Sequence, residues 1–254
     1  MTQSPTKALS PDELADLNGR FQAAEPQEVL AWALMRFSPR IALASSFGAE
    51  DVVLIDMLWH LDPQSRVFTL DTLRLPTETY ALMDELRDRY GIVVETFYPD
   101  LGTVGEMVRE RGFNLFYRSV ANRQHCCEVR KVEPLGRALA SLDAWISGLR
   151  REQAPTRGSM HKVERDALHG GLVKINPLAD WSSEDVWTYI RAHDVPYNSL
   201  HDRGYPSIGC APCTRAVRPD EDPRAGRWWW ELDPAAKECG LHVDHAAQRP
   251  RGEA

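Results

Sequence analysis

The chain alternates short apolar segments with amphipathic helical segments, and this alternation limits the folds open to it more than any other feature. Strands are predicted at 41–45, 66–71, 91–99, 143–147 and 172–178, and helices at 49–61, 77–90, 103–112, 133–141 and 182–193. Strands separated by single helices indicate βαβ units, and so a mostly parallel sheet flanked by helices. Because such sheets bind ligands at the carboxyl ends of their strands, functional residues are expected in the loops that follow the strands.

The overall composition narrows the class of protein. The chain has 254 residues, of which 43% are hydrophobic, and this is enough for a sizeable core without disulfides. A net charge of −7 argues against a nucleic-acid-binding surface, although a local basic cluster could still bind a small anion. The sequence has neither a signal peptide nor an apolar stretch of about 18 residues, so we expect a cytoplasmic protein that does not enter a membrane.

The loop after the first strand, "SSFGAED", opens a helix. Backbone N–H groups at a helix N-terminus bind phosphate, and Gly48 would let an anion approach closely. The loop lacks both the Walker pattern and the three glycines of a dinucleotide fingerprint, so an ordinary strand–helix turn is an equal alternative. Asp71 ends the second strand, where an acid either binds a ribose hydroxyl or caps a helix.

Five cysteines fall into three groups: Cys126 with Cys127, Cys210 with Cys213, and Cys239 alone. Four thiolates can bind zinc or an iron–sulfur cluster. Adjacent cysteines suit a [4Fe–4S] cluster better than a single zinc ion, because neighbouring ligands can each reach a separate iron. A thioredoxin-like redox site is the weaker alternative, because Cys210 and Cys213 lie in a loop rich in glycine and proline.

Basic residues crowd the strand ends and the cysteines. They are Arg130 and Lys131, then Arg150, Arg151 and Arg157, then Arg224 and Arg227. Each could be a solvated surface charge, but three clusters in an acidic chain favour an anion pocket, and arginine suits phosphate and sulfate oxygens. The aromatic run 228–230 is interpreted mainly as packing for the C-terminal segment.

Several motifs in order resemble a known family. They are "SSFGAEDVVLIDM", "LDTLRLPTETY", "CCEVRKVEPL", "WISGLRREQAPTR", "INPLADWSSEDVWTYI", "VPYNSLHDRGYPSIGCAPCTRAV", "RAGRWWWE" and "KECGLH". Together they resemble the iron–sulfur type of assimilatory adenylyl-sulfate reductase, within the phosphoadenylyl-sulfate reductase family. The resemblance covers residues 40–242, and the two cysteine pairs followed by a late "ECGLH" are its most specific part.

The resemblance implies an adenine nucleotide α-hydrolase-like, Rossmann-like α/β fold with one [4Fe–4S] cluster on Cys126, Cys127, Cys210 and Cys213. It implies nucleotide contacts from Ser45, Ser46, Phe47, Gly48, Ala49, Glu50, Asp51, Leu70, Asp71, Thr72, Gly148, Arg150, Arg151 and Arg157. It places Lys131, Arg224, Arg227 and His242 around the sulfate group. Many relatives read SFSGAED where this chain has SSFGAED, so Phe47 stands where those relatives have a hydroxyl side chain.

The implied reaction is reduction of adenosine 5′-phosphosulfate to sulfite and AMP, in sulfate assimilation and cysteine biosynthesis. Cys239 would attack the sulfur and form an S-sulfocysteine, which thioredoxin or glutaredoxin would then reduce. The expected organisation is an N-terminal extension at 1–35, a reductase domain at 36–218 and a mobile arm at 219–254, with no nucleic-acid or membrane partner and with a homo-oligomer allowed.

Three alternatives stay open. The nearest is reduction of 3′-phosphoadenylyl sulfate, alone or as a second substrate, although relatives that use it commonly lack the two cysteine pairs. A second is an ATP-dependent tRNA-thiolating ligase, which shares the implied fold but would need a basic surface. The third is a zinc-bound nucleotide sensor in which Cys239 has no chemical role.

Overall fold

The computed structural model describes residues 9–154, 157–231 and 241. Its strands are β1 Ile41–Ala44, β2 Val67–Leu70, β3 Val94–Phe97, β4 Ala144–Ile146, β5 Val163–Asp166 and β6 Leu172–Ile175. They form one sheet in the order β3-β2-β1-β4-β6-β5. Every neighbouring pair is parallel except β5 with β6. The predicted mostly parallel sheet is therefore confirmed, with one antiparallel edge strand that the sequence did not reveal.

Helices cover both faces of this sheet. They are α1 Pro11–Phe21, α2 Pro26–Phe37, α3 Ala49–Leu61, α4 Thr77–Tyr90, α5 Leu101–Arg111, α6 Val120–Cys127, α7 Glu133–Leu139 and α8 Ser183–Ala192. The bounds of α4 follow from local chemistry, since Pro76 precedes it and Gly91 ends it in the left-handed conformation, at φ 66°. In the described part of the chain, no helix is long and apolar enough to cross a membrane.

Alternation along the central strands builds a separate core on each face of the sheet. Ile41 and Leu43 of β1 pack into the main core with α2, α3 and α8. Ala42 and Trp145, which point the other way, pack with α7 in a smaller core. This is the period-two pattern of strands that are buried on both faces.

The two N-terminal helices join the main core. Phe21 of α1 and Val29, Leu30 and Phe37 of α2 are almost fully buried there. Ser10 caps α1 in a reciprocal arrangement with Glu13, which satisfies two backbone N–H groups at the helix start. The boundaries at 35 and 218 that we expected between segments stay predictions.

The chain reverses its direction across the sheet between β1 and β4. From β1 the connections run outward to β2 and β3, and β4 then starts the other half on the opposite side of β1. At such a switch point the loops that follow the two strands separate and leave a crevice, which is where α/β proteins bind ligands. Ser45 after β1 and Ser147 after β4 lie at this point.

Candidate active site

A cavity of about 710 Å³ opens at the carboxyl ends of the central strands. Most of the residues predicted to contact the nucleotide or sulfate line it: Ser45, Ser46, Gly48, Ala49, Glu50, Asp51, Leu70, Thr72, Lys131, Gly148, Arg150, Arg157, Arg224 and Arg227. Its volume lies within the usual range for small-molecule sites. The structure therefore brings together residues that are up to 182 positions apart in the sequence, from Ser45 to Arg227.

The turn before α3 is already occupied by a side chain of the protein. Asp51 Oδ2 accepts hydrogen bonds from Ser46 N at 2.6 Å, Ser46 Oγ at 2.8 Å and Gly48 N at 3.4 Å. Phe47 N donates to Ser45 Oγ at 3.1 Å. In this conformation the N–H groups of Ser46, Phe47 and Gly48 donate to side chains of the same turn, and phosphate binding at this turn stays a prediction. Burial raises the pKa of Asp51 to about 6, although the hydrogen bonds from Ser46 act to lower it.

Three residues predicted to bind the nucleotide do not line this cavity. Phe47 is 1% exposed and packs into the main core with a left-handed backbone at φ 60°. Asp71 accepts hydrogen bonds from Leu73 N and Tyr80 Oη, at 2.8 and 2.9 Å, so it stabilises its own turn. Arg151 binds Asp180 and the backbone of Met160. Each side chain is held by partners within the protein.

Arg150 fixes the loop after β4 to the start of α3. It lies 2.8 Å from Glu50 and 2.8 Å from Glu152, and its side chain is 8% exposed. Its charge is therefore offset by carboxylates, and the predicted anion-binding role of this arginine cluster is weakened. Gly148 packs so closely here that an added Cβ would overlap Asp51 Oδ1 and meet Glu50 Cβ at 3.0 Å.

We expect Gly148→Ala to weaken nucleotide binding by at least about tenfold, because the new methyl group would push Asp51 or the loop into the cavity. Titration of AMP against the wild type and the variant measures the change. Gly136→Ala is a matched control, since nothing lies within 4 Å of a Cβ added at that position. Equal AMP affinity in all three proteins would contradict the assigned role of this contact.

The four grouped cysteines meet at a second cavity. Cys126 and Cys127 end α6, and Cys210 and Cys213 flank a short 3₁₀ turn at Ala211–Cys213. All four are buried free thiols that line this cavity. The two pairs are 83 residues apart, from Cys127 to Cys210, and the fold places them together as predicted.

The surroundings of the thiols are apolar, with cations at the edge. Phe116 and Trp228 lie on the cavity wall with Arg74 and Arg130. Burial raises the pKa of the Cys126 thiol, and it raises that of Cys213 to about 12, although Arg130 near Cys126 and Lys131 near Cys213 act to lower these values. Thiols in such a site become thiolates when a metal centre binds them.

Across residues 9–154, 157–231 and 241, no three His, Cys, Asp or Glu side chains are grouped as ligands of a single metal ion. Four thiols around one apolar cavity nevertheless match the ligands of an iron–sulfur cluster in kind and number. Thr72 Oγ1 lies 3.2 Å from Cys210 Sγ, and such hydrogen bonds to sulfur are typical around clusters. The residues present therefore fit the predicted group.

A π-helical turn at Glu128–Val132 follows the adjacent cysteines and carries Arg130 and Lys131. Pro134 explains its position, because a proline cannot donate to the carbonyl four residues back, at Arg130. Arg130 is buried and donates to Thr72 O at 2.7 Å. Such turns are frequent at functional sites, but the pattern of hydrophobic residues did not reveal this one.

The two cavities share part of their walls. Lys131, Arg227 and Trp228 line both of them, while Arg224 lines the nucleotide-sized cavity beside them. Arg224 and Arg227 lie on a turn, in which Arg227 N donates to Arg224 O. The cationic end of the large cavity therefore adjoins the thiols.

Cys239 and His242 lie outside the described residues, as does most of the predicted mobile arm. Leu241, which stands between them in the sequence, is described. It lines the large cavity and packs against the smaller core that contains Phe68 and Trp145.

A buried ion pair joins the cysteine-bearing helix α6 to Glu231, which lies within the predicted C-terminal arm. Arg123 of α6 and Glu231 form two hydrogen bonds of 3.0 Å, with side chains 0% and 4% exposed. The guanidinium lies 4.6 Å from the centre of the Trp228 ring. Trp228 and Trp230 pack beside the cysteines, so the aromatic run stabilises the thiol site.

Glu231→Gln is expected to lower the free energy of unfolding by about 3 kcal/mol, because it leaves the buried Arg123 charge without its carboxylate. Urea denaturation of both proteins gives the difference. Converting the pair together, as Arg123→Met with Glu231→Leu, should cost less than Glu231→Gln alone. A loss below about 1 kcal/mol in the single variant would argue against this role.

The cavity wall also contains residues that the sequence analysis did not select, including Ser147, Thr69, Trp145, Leu135 and His201. Ser147 and Thr69 could have been found from their place at or next to the end of a strand. Leu135 and His201 carried no such signal, since long-range packing of α7 and of the segment after α8 brings them to the cavity.

The sheet order, the crevice at the switch point and the two adjoining cavities define an α/β nucleotide-binding protein of the adenine nucleotide α-hydrolase-like class. The chain resembles FMN adenylyltransferase from Candida glabrata in fold, with a TM-score of 0.53 and 15% identity over 95% of this chain and 85% of that one. Phosphoadenylyl-sulfate reductase from Candida auris is more similar, with a TM-score of 0.71 and 30% identity over 84% of this chain and all of that one.

The family model for the phosphoadenosine phosphosulfate reductase domain matches residues 40–216, and the chain belongs to this family. It is 49% identical to adenosine 5′-phosphosulfate reductase from Allochromatium vinosum, over 98% of this chain and 94% of that one. It is 52% identical to the protein of the same name from Burkholderia cepacia, over 80% and 81% of the two chains. The family resemblance inferred from the motifs is confirmed.

Proposed function

We propose that this protein is an enzyme that reduces adenosine 5′-phosphosulfate to sulfite and AMP in sulfate assimilation. The observation that carries the proposal is the wall of Lys131, Arg227 and Trp228 shared by a nucleotide-sized cavity and a four-cysteine cavity. Relatives named adenosine 5′-phosphosulfate reductase, at 45–52% identity, support the choice of nucleotide.

The cavity suggests how the nucleotide lies. Phe68, Leu70, Leu135 and Trp145 supply apolar surface for a purine. Lys131, Arg224 and Arg227 supply positive charge for the phosphosulfate at the end beside the thiols. We place the nucleoside near the strand ends and the sulfate next to the cysteine cavity, with residues 148–153 and Arg157 along one side.

One [4Fe–4S] cluster is proposed on Cys126, Cys127, Cys210 and Cys213, which line one cavity. When bound there, it would tie α6 to the segment around the second pair and add its electrostatic field to the sulfate site. Lys131 and Arg227, which line both cavities, would hold the sulfate oxygens while also facing the thiolate ligands. The chemistry at sulfur needs only thiols.

In the proposed first step the Cys239 thiolate attacks the sulfate sulfur. A sulfur–sulfur bond forms, the bond from sulfur to the bridging phosphate oxygen breaks, and AMP leaves with that electron pair. Lys131, Arg224 and Arg227 stabilise the charge on the departing and equatorial oxygens. His242, three residues after Cys239, is proposed to favour the thiolate.

In the second step a thioredoxin or glutaredoxin thiolate attacks Cys239 Sγ. Sulfite leaves, a mixed disulfide remains, and the second thiol of the donor resolves it, so the donor supplies both electrons. This step requires Cys239 to reach a partner protein, which fits the predicted arm at 219–254. We place the activity in the cytoplasm, with a homo-oligomer allowed.

Comparing kcat/KM for adenosine 5′-phosphosulfate and its 3′-phosphorylated form tests the proposed substrate. We expect clear preference for the unphosphorylated nucleotide, with sulfite and AMP released in equal amounts when thioredoxin is present. A preference for the 3′-phosphorylated nucleotide would contradict the proposal and favour the alternative that the Candida auris neighbour represents.

A further inference from the structure

Ser147 is a buried polar residue on the wall of the nucleotide-sized cavity. It follows β4 at the switch point of the sheet, is 3% exposed and lines the cavity. Its backbone N–H donates to Ile175 O at 2.9 Å. Of its N–H and O–H groups, only the hydroxyl is therefore available to a ligand. The direction of that hydroxyl proton is fixed by a neighbour, Asn176.

Asn176 follows β6, is fully buried, and its side-chain amide is oriented by its partners. Its Nδ2 donates to His161 O at 2.9 Å and to Glu164 Oε1 at 3.1 Å. A backbone carbonyl accepts only, so the amide atom facing it must be the nitrogen. The other amide atom, Oδ1, therefore faces Ser147 Oγ, at 2.6 Å.

An amide oxygen cannot donate, so Ser147 must give its single hydroxyl proton to Asn176. The remaining lone pairs of Oγ can only accept a hydrogen bond. Phosphate and sulfate oxygens are themselves acceptors at neutral pH, so they have no favourable hydrogen bond to make with this hydroxyl. A ligand group beside Ser147 must instead carry an N–H or O–H.

We infer that Ser147, held by Asn176, is a specificity residue that accepts a hydrogen bond from the nucleoside part of the substrate. The adenine amino group and the ribose hydroxyls are the donors available there. This contact would orient the nucleotide, since it excludes the phosphosulfate from the switch point and leaves that group to Lys131, Arg224 and Arg227. The inference rests on the proposed function, because it assumes an adenine nucleotide in the cavity.

Titrations of AMP and adenosine against the wild type and Ser147→Ala test the inference. We expect roughly 3- to 10-fold weaker binding of both ligands by the variant, and by the same factor, as for loss of one neutral hydrogen bond. Ser147→Thr keeps the hydroxyl and should restore most of the affinity. Ser65→Ala is the control, because Ser65 does not line the cavity. Unchanged affinity in Ser147→Ala, or a loss for AMP but not for adenosine, would overturn the inference.

Nucleotide analogues identify the donor group. Purine riboside 5′-monophosphate lacks the amino group, and 2′-deoxy-AMP and 3′-deoxy-AMP each lack one hydroxyl. The analogue that lacks the donor group contacting Ser147 should bind equally well to the wild type and to Ser147→Ala. The other analogues should keep the full difference in affinity between these two proteins. If every analogue keeps the difference seen with AMP, no donor of the nucleoside contacts Ser147 and the inference is wrong.

A separate binding experiment tests whether Asn176 orients the Ser147 hydroxyl. Asn176→Ala frees the hydroxyl to rotate, so we expect the penalty of Ser147→Ala on AMP binding to fall at least about twofold in that background. Thermal melting confirms that the compared proteins are folded. An unchanged penalty would show that Asn176 only supports the fold. Failure of the wild type to bind AMP or to release sulfite would instead contradict the proposed function, so the two failures are distinguishable.

Discussion

Replacing Cys239 by serine is expected to abolish sulfite release, with a loss of roughly 10⁴-fold or more, because the hydroxyl is a far weaker nucleophile than the thiolate at this position. The other four cysteines belong to a different site, because Cys126, Cys127, Cys210 and Cys213 are buried around one cavity. Sulfite measured with thioredoxin present gives the rate. AMP binding should stay within about twofold of the wild type, because the variant leaves the cavity residues intact.

The matched comparison uses a cysteine of the buried set. Cys127→Ser should lower the iron content of the protein, whereas Cys239→Ser should leave it unchanged. One iron assay therefore distinguishes a proposed cluster ligand from the proposed nucleophile. A Cys239→Ser protein that still releases sulfite at the wild-type rate would rule out the covalent route. The alternative in which Cys239 is idle predicts that outcome.

Replacing Cys210 by alanine is expected to remove the proposed cluster and most of the activity together. Thiolate ligation couples cluster binding to folding, and Cys210 also contacts Thr72 Oγ1 at 3.2 Å, beside the nucleotide-sized cavity. Iron, acid-labile sulfide and visible absorption of anaerobically purified protein measure the loss. We expect four irons per chain in the wild type and a large fall, roughly tenfold, in the variant.

Thr72→Val provides the companion variant, because it removes the hydroxyl beside Cys210 and keeps the side-chain shape. It should retain the iron and shift the visible spectrum or the reduction potential of the cluster, as expected when a hydrogen bond to cluster sulfur is lost. A colourless wild-type protein that contains one zinc ion and no sulfide would contradict the cluster and favour the sensor alternative.

Local chemistry made the framework predictable. Helix α4 was predicted with its observed bounds because Pro76 and Gly91 mark its ends in the sequence. The strands were predicted from their apolar runs, although β3 is shorter than expected, at Val94–Phe97. Strand β5 was missed because three of the four residues of "VERD" are charged, and its place beside β6 depends on an antiparallel pairing that no local pattern specifies.

The site was predictable by residue type and less so by geometry. The grouping of the cysteines predicted one shared metal centre, and the fold places both pairs around one cavity. The arginines at 150 and 151 looked like anion ligands, but Glu50 and Asp180, which are distant in sequence, pair with them. Likewise, the turn before α3 was predicted to bind phosphate, but in the structure its Ser46 and Gly48 N–H groups donate to Asp51 Oδ2. Long-range pairing of charges is the information that a single sequence does not display.

The most direct test of the account is the intact mass of the protein after it is mixed with adenosine 5′-phosphosulfate in the absence of thioredoxin. The account predicts a single added SO₃ group, mapped by peptide analysis to Cys239 and released as sulfite when thioredoxin is added. AMP should appear in an amount equal to the adduct. Sulfite and AMP formed in thioredoxin-supported turnover, with no adduct on Cys239 at any time of sampling, would contradict the account.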